Sequence, residues 1–187
     1  MKILLSLAAA GLCSAVQAQP ADYTIDLTHT FVTLEVLHAG MSTTRIRFDR
    51  KQGSAQFDRA GRSGRVDITL EMDSLNSGVP AFDAQLKGRE FFNVAEHPSA
   101  RFLGERFGFA GDQVSEVSGT LTLRGRSLPV SLKALNFNCY TNPLFRREVC
   151  GGDFEALIQR SQWGISAYPA AAADTVRLLV QIEAIRQ

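Results

Sequence analysis

Net charge is the first thing this sequence lacks: 20 lysines and arginines stand against 19 aspartates and glutamates. The chain therefore has no basic excess for nucleic acid, and it has no acidic tail. Histidine is scarce too. His29, His38 and His97 form no HxH or HExxH pair, and no G-x-S-x-G nucleophile elbow occurs. The three cysteines, Cys13, Cys139 and Cys150, include no CxxC spacing, and no histidine lies near Cys139 or Cys150. A redox-active pair and a zinc centre are disfavoured on that ground. After the first dozen residues no apolar run is long enough to cross a bilayer as a helix. No cofactor, metal or catalytic residue is assigned, and the length fits one domain with a good core.

What is present begins with an export signal. Lys2 is a positive start, Ile3 to Leu12 an apolar run too short to span a membrane, and Val16-Gln17-Ala18 a small-residue cleavage site. Leu12 before Cys13 is wrong for lipidation, so cleavage after Ala18 is expected, leaving one domain over residues 19–187. Loss of Lys2 leaves 19 basic against 19 acidic residues. Cys139 and Cys150 are then the even pair expected to form a disulfide in an exported chain. Closing a loop of that size is worth roughly 3 kcal/mol on a chain-entropy model.

Alternation of period two dominates from Tyr23 onward. Val32, Leu34, Val36 and His38 share one strand face; Val66, Ile68, Leu70 and Met72 alternate with Arg65, Asp67, Thr69 and Glu71. Similar runs carry Phe102 to Phe109, Val117 to Leu123, Leu128 to Ala134, Phe154 to Ile158 and Val176 to Ile182. Short links such as Gly111-Asp112 join them. About eight or nine strands so connected predict an all-β antiparallel meander that closes into a barrel, with a β-sandwich as the alternative.

One stretch, Val79 to Phe102, breaks the alternation. Ala81 to Leu86 suits a short helix stopped at Gly88, with Phe82 and Leu86 on one face. Phe91, Phe92 and Val94 follow, then His97-Pro98. These apolar groups either enter the mouth of a barrel or cap an ordinary core.

The ordered set of segments resembles the YceI-like family of periplasmic, lipocalin-like proteins that bind polyisoprenoid or other long-chain lipids. The residues carrying the resemblance are Tyr23-Thr24-Ile25-Asp26 with His29, Val36-x-His38, Leu86-Lys87-Gly88, Glu90-Phe91-Phe92-Asn93-Val94 and His97-Pro98-Ser99-Ala100-Arg101-Phe102. Gly119-Thr120-Leu121-Thr122-Leu123-Arg124-Gly125 with Pro129-Val130, Phe154-Glu155-Ala156, and Arg160-Ser161-Gln162-Trp163-Gly164-Ile165 complete it. Departures are Arg47 before Phe48, where the family has glycine, His97 where tyrosine is common, and the Cys139 to Cys150 insertion, which resembles a subgroup.

The resemblance implies an extended lipocalin-like barrel of about eight strands with a short crossover helix, located in the periplasm. It also implies a bound isoprenoid or quinone-like lipid. Phe48, Phe82, Leu86, Phe91, Phe92, Phe102, Ile158 and Trp163 are the expected tunnel residues, and Lys87, Arg89 and Asn93 the expected mouth. Arg160-Ser161 either holds a head group or closes the barrel by bonding to carbonyls or to Asp26. Two other readings stay open: an enzyme using Asp26, His29 and His38, and a filled barrel that acts as a stress or interaction protein. Transient membrane contact and a homodimer are compatible with all three.

Overall fold

The computed structural model describes residues 20–187; the expected export segment, Met1 to Ala18, lies outside the described residues. The strands are β1 (Ala21–Ile25), β2 (Phe31–His38), β3 (Ser42–Phe48), β4 (Lys51–Asp58), β5 (Ser63–Glu71) and β6 (Leu75–Asn76). After the helix α1 (Pro80–Lys87) come β7 (Ser99–Ala110), β8 (Gln113–Leu123), β9 (Arg126–Thr141), β10 (Glu148–Gln159) and β11 (Ala172–Arg186).

The eleven strands make eight staves. β1 and β2 lie end to end along one edge of β11, while β3 and β4 continue one another across from them. β5 and β6 continue one another in the same way across from β4 and β3. The sheet then runs from β5 through β7, β8, β9 and β10 to β11, every pairing antiparallel, and closes where Tyr23 meets Arg186. The expected barrel, rather than the sandwich, is what forms.

The staves break where buried backbone finds side-chain partners. The Thr30 hydroxyl donates to the Glu183 carbonyl and accepts from its N–H, both at 3.2 Å, and the Ser74 hydroxyl accepts from Arg50 N–H at 2.9 Å. Left unpaired, such groups would cost as much as a lost hydrogen bond each. The two-residue loop Arg124-Gly125 and the first two residues of the three-residue loop Ala39-Gly40-Met41 have positive φ, the twist that suits right-handed strands.

Alternation sends Val176, Leu178, Val180 and Ala184 of β11 into the core. Outside, Glu35 joins Arg45 at 2.8 Å and Arg177 at 3.3 Å, and Arg177 reaches Glu155 at 2.7 Å. Exposed pairs of this kind contribute little individually.

The crossover covers one end of the barrel. Pro80 opens α1, where its missing N–H is harmless, and Gly88 ends it, one residue beyond the predicted span on each side. β7 begins at Ser99, three residues before the predicted start, because Pro98 already favours extended chain. The Arg124 guanidinium ties the cap down, donating to the carbonyls of Arg89, at 2.7 Å, and Gly164.

Candidate binding site

Three apolar cavities follow one another along the barrel axis. The largest, about 220 Å³, lies under α1. One of about 50 Å³ occupies the waist, and one of about 70 Å³ lies toward the disulfide end. The last two share Ile68, Phe102, Leu132 and Val180 as wall. β11 supplies the first cavity with Val176, the waist with Leu178 and the far end with Ile182 and Ala184. At strand rise, Val176 to Ala184 covers about 26 Å.

Of the expected tunnel residues, Phe82, Leu86, Phe91, Phe92 and Ile158 border the helix-end cavity, and Phe102 borders the other two. Phe48 and Trp163 border none of the three. Phe48, 2% exposed, packs edge-on against Phe92 with centroids 6.2 Å apart. Trp163, 1% exposed, donates its indole N–H to the Leu121 carbonyl at 3.4 Å. Both back the wall rather than face space.

The expected mouth residues are placed differently. Lys87 ends α1, and the Arg89 side chain is 86% exposed, 3.4 Å from Glu96; neither borders the cavity. Asn93 is buried with φ of 48°, its N–H donating to Gly88 and its carbonyl accepting from Glu96 and His97. It forms the turn after the helix, a place where asparagine tolerates left-handed backbone. The polar groups that do border the cavity are His38, Thr44, Gln85, Arg160 and Tyr168. The inward phase of Val32, Leu34 and Val36 pointed to His38; nothing local marked Gln85 or Tyr168. The Tyr168 ring stacks on Phe91 at 5.8 Å, and its hydroxyl lies 3.1 Å from Glu90. Arg160 bonds to backbone carbonyls, not to Asp26.

The Asp26, His29 and His38 trio is not assembled. His29 Nδ1 lies 2.8 Å from Asp26, but His38 ends β2, nine residues on and roughly 30 Å away along extended chain. Burial pushes the Asp26 carboxyl up, but hydrogen bonds from Thr28 and His29 outweigh it and hold the group at about 2. The same bond to Asp26, with the charges of Asp26 and Glu183, raises His29 above its ordinary value. A depressed acid stabilises above its unfolded pKa, near 4, and loses that as pH falls toward 2. A raised histidine stabilises below about 6.5 and loses that as pH climbs through its folded value. The pair's contribution should therefore peak between about pH 4 and 6.5. His29→Gln should flatten the fall in melting temperature as pH rises above about 6.5, and an unchanged pH profile would refute that assignment.

Residues 23–184 match the YceI-like domain. The chain belongs to the YceI-like family. This YceI-like protein is 32% identical over 179 residues to a UPF0312 protein of Pseudomonas paraeruginosa, covering 94% of this chain and 93% of that one. A UPF0312 protein of Pectobacterium atrosepticum is 30% identical over 190 residues, covering 100% and 98%. Among solved structures, BcnA of Burkholderia cenocepacia superposes with a TM-score of 0.68 at 20% identity over 85% of this chain and 98% of BcnA. A YCEI protein of Campylobacter jejuni gives 0.70 at 22%, covering 79% and 87%. A polyisoprenoid binding domain from Saccharophagus degradans, implicated in plant cell wall breakdown, gives 0.59 at 16%, covering 88% and 98%. The barrel is thus the fold of its family.

Proposed function

We propose that this YceI-like protein is an exported carrier that works in the periplasm without catalysis. In this reading it holds one isoprenoid, quinone-like or other long-chain lipid along the barrel axis. The observation that carries the reading is the file of apolar cavities, widest under the cap and narrow at the waist. Such a bore suits a single linear chain better than a bulky ring system. Each methylene taken out of water is worth about 0.8 kcal/mol, so a long chain needs no strong polar contact to stay bound. Ordering costs subtract from that sum. The polyisoprenoid-binding neighbour supports the ligand class, and the apolar start of the sequence supports export. Phe82, Leu86, Phe91, Phe92, Phe102 and Ile158 are the side chains assigned to the bore.

The test is native mass spectrometry of protein made with its own start sequence and recovered from the periplasmic fraction, followed by organic extraction. The expected species begins at Gln19 and carries one long-chain lipid per chain. Protein that is recovered empty, and that takes up neither a polyprenol nor a long-chain fatty acid from vesicles, would refute the carrier reading.

A further inference from the structure

We infer that the ligand of this bore has an anionic head, specifically a carboxylate, and that Arg160 receives it at the capped end. This rests on the carrier reading above and narrows its ligand class. Arg160 continues the inward phase of Phe154, Ala156 and Ile158, so alternation turns it toward the interior just where β10 ends. It is 7% exposed and forms part of the wall of the 220 Å³ cavity.

Its donors are held almost completely. Nε donates to the Ala173 carbonyl at 3.0 Å and Nη1 to Ile165 at 3.2 Å, while Nη2 donates to Ala167 and Ala172, both at 2.8 Å. A guanidinium has five N–H groups, so one, on Nη1, is left over. The four bonds wrap the segment from Ile165 to Ala173 around the guanidinium and fix its plane beforehand. What they do not supply is a counter-charge. Among the described residues no carboxylate forms an ion pair with Arg160. Glu155, five residues back, is taken up by Arg177, and Asp174, which feels the Arg160 charge without bonding to it, is occupied by the N–H and hydroxyl of Ser161 at 2.9 and 2.7 Å.

A fixed positive charge therefore sits beside an apolar cavity, held by carbonyl dipoles and with no carboxylate bonded to it directly. Buried charge is costly unless it is paired, so a ligand that brings one negative oxygen gains more here than a neutral head would. Thr44, Gln85 and His38 border the same cavity and offer hydrogen bonds to the second oxygen. The head then lies under α1, and the tail runs past Val176 and Leu178 toward the disulfide end.

Palmitate, 1-hexadecanol, methyl palmitate and hexadecyl phosphate share one chain and differ in the head. Binding of each to the delipidated wild-type protein is measured at about pH 8, where a carboxylate is ionised. One charge-assisted hydrogen bond in a dry site predicts that palmitate binds about tenfold or more tighter than the alcohol and the ester. Hexadecyl phosphate should bind no tighter than palmitate; if it wins, the anion is a phosphate and the carboxylate assignment falls. Equal affinities for acid, alcohol and ester would overturn the inference and leave the carrier reading standing. Failure of all four, and of a polyprenol, would remove both. Arg160→Gln, if folded, should bring the ratio of acid to alcohol affinity, both measured on the same variant, down about tenfold toward one, whatever the loss of its carbonyl bonds does to both ligands alike. If it keeps the preference, Arg160 is not the receiver. If it does not fold, the wild-type head-group series decides.

Discussion

Phe92→Ala should lower the melting temperature of the lipid-free protein by on the order of 10 °C, while Phe91→Ala, next to it, melts close to wild type and loses its lipid. The two rings sit in different surroundings. Phe92 is 6% exposed and packs edge-on against Phe48, itself 2% exposed, so alanine leaves a hole that neighbours anchored in two strands cannot fill. Such truncations typically cost 3–5 kcal/mol. Both rings border the cavity, but Phe91 stacks on Tyr168, which is half exposed on a loop that can relax. Losing a stacked pair is worth about 0.5–1.5 kcal/mol beyond area burial, and part of the ring already faces space. Thermal melts of delipidated protein, with lipid retention measured by extraction, separate the two effects. If both variants unfold readily, and folded Phe91→Ala keeps its lipid, the segment is only a cap.

Replacing Cys139 and Cys150 by serine should cost up to roughly 3 kcal/mol, or about 6–12 °C in melting temperature, with lipid binding kept. The bond joins directly opposite residues of β9 and β10 and closes an eleven-residue separation. Neighbouring contacts soften its loss. The Tyr23 hydroxyl donates to Glu148 at 2.6 Å, tying β1 to β10 two residues before Cys150. Burial and then that carboxylate push the Tyr23 phenol up to about 12, so the bond survives throughout the neutral range. The helix-end cavity lies at the other end of the barrel, which is why binding should persist. A double mutant with an unchanged melt would show that the strand pairing alone fixes this hairpin.

Much of this was legible along the chain because each strand carries its own instruction. Alternation of Val32, Leu34 and Val36, or of Val176, Leu178 and Val180, needs only a pleated backbone to sort inside from outside. The turns at Arg124-Gly125 and Gly111-Asp112, the helix before Gly88 and the pairing of Cys139 with Cys150 are local in the same sense. Even Arg160 follows from counting by two along β10. Only closure of the barrel decided which inward residues border empty space. Phe48 and Phe82 are equally apolar in the sequence, yet Phe48 is packed solid and Phe82 borders the cavity. That difference depends on volumes contributed by strands far apart in the chain. Asn93 reads as a polar group near the mouth until the chain reverses through it with φ of 48°. The gathering of the polar rim was beyond reach for the same reason, although His38 and Arg160 could each be read as inward. His38, Gln85, Arg160 and Tyr168 stand on a strand end, a helix, a stave terminus and a loop, and only the tertiary fold gathers them around one cavity.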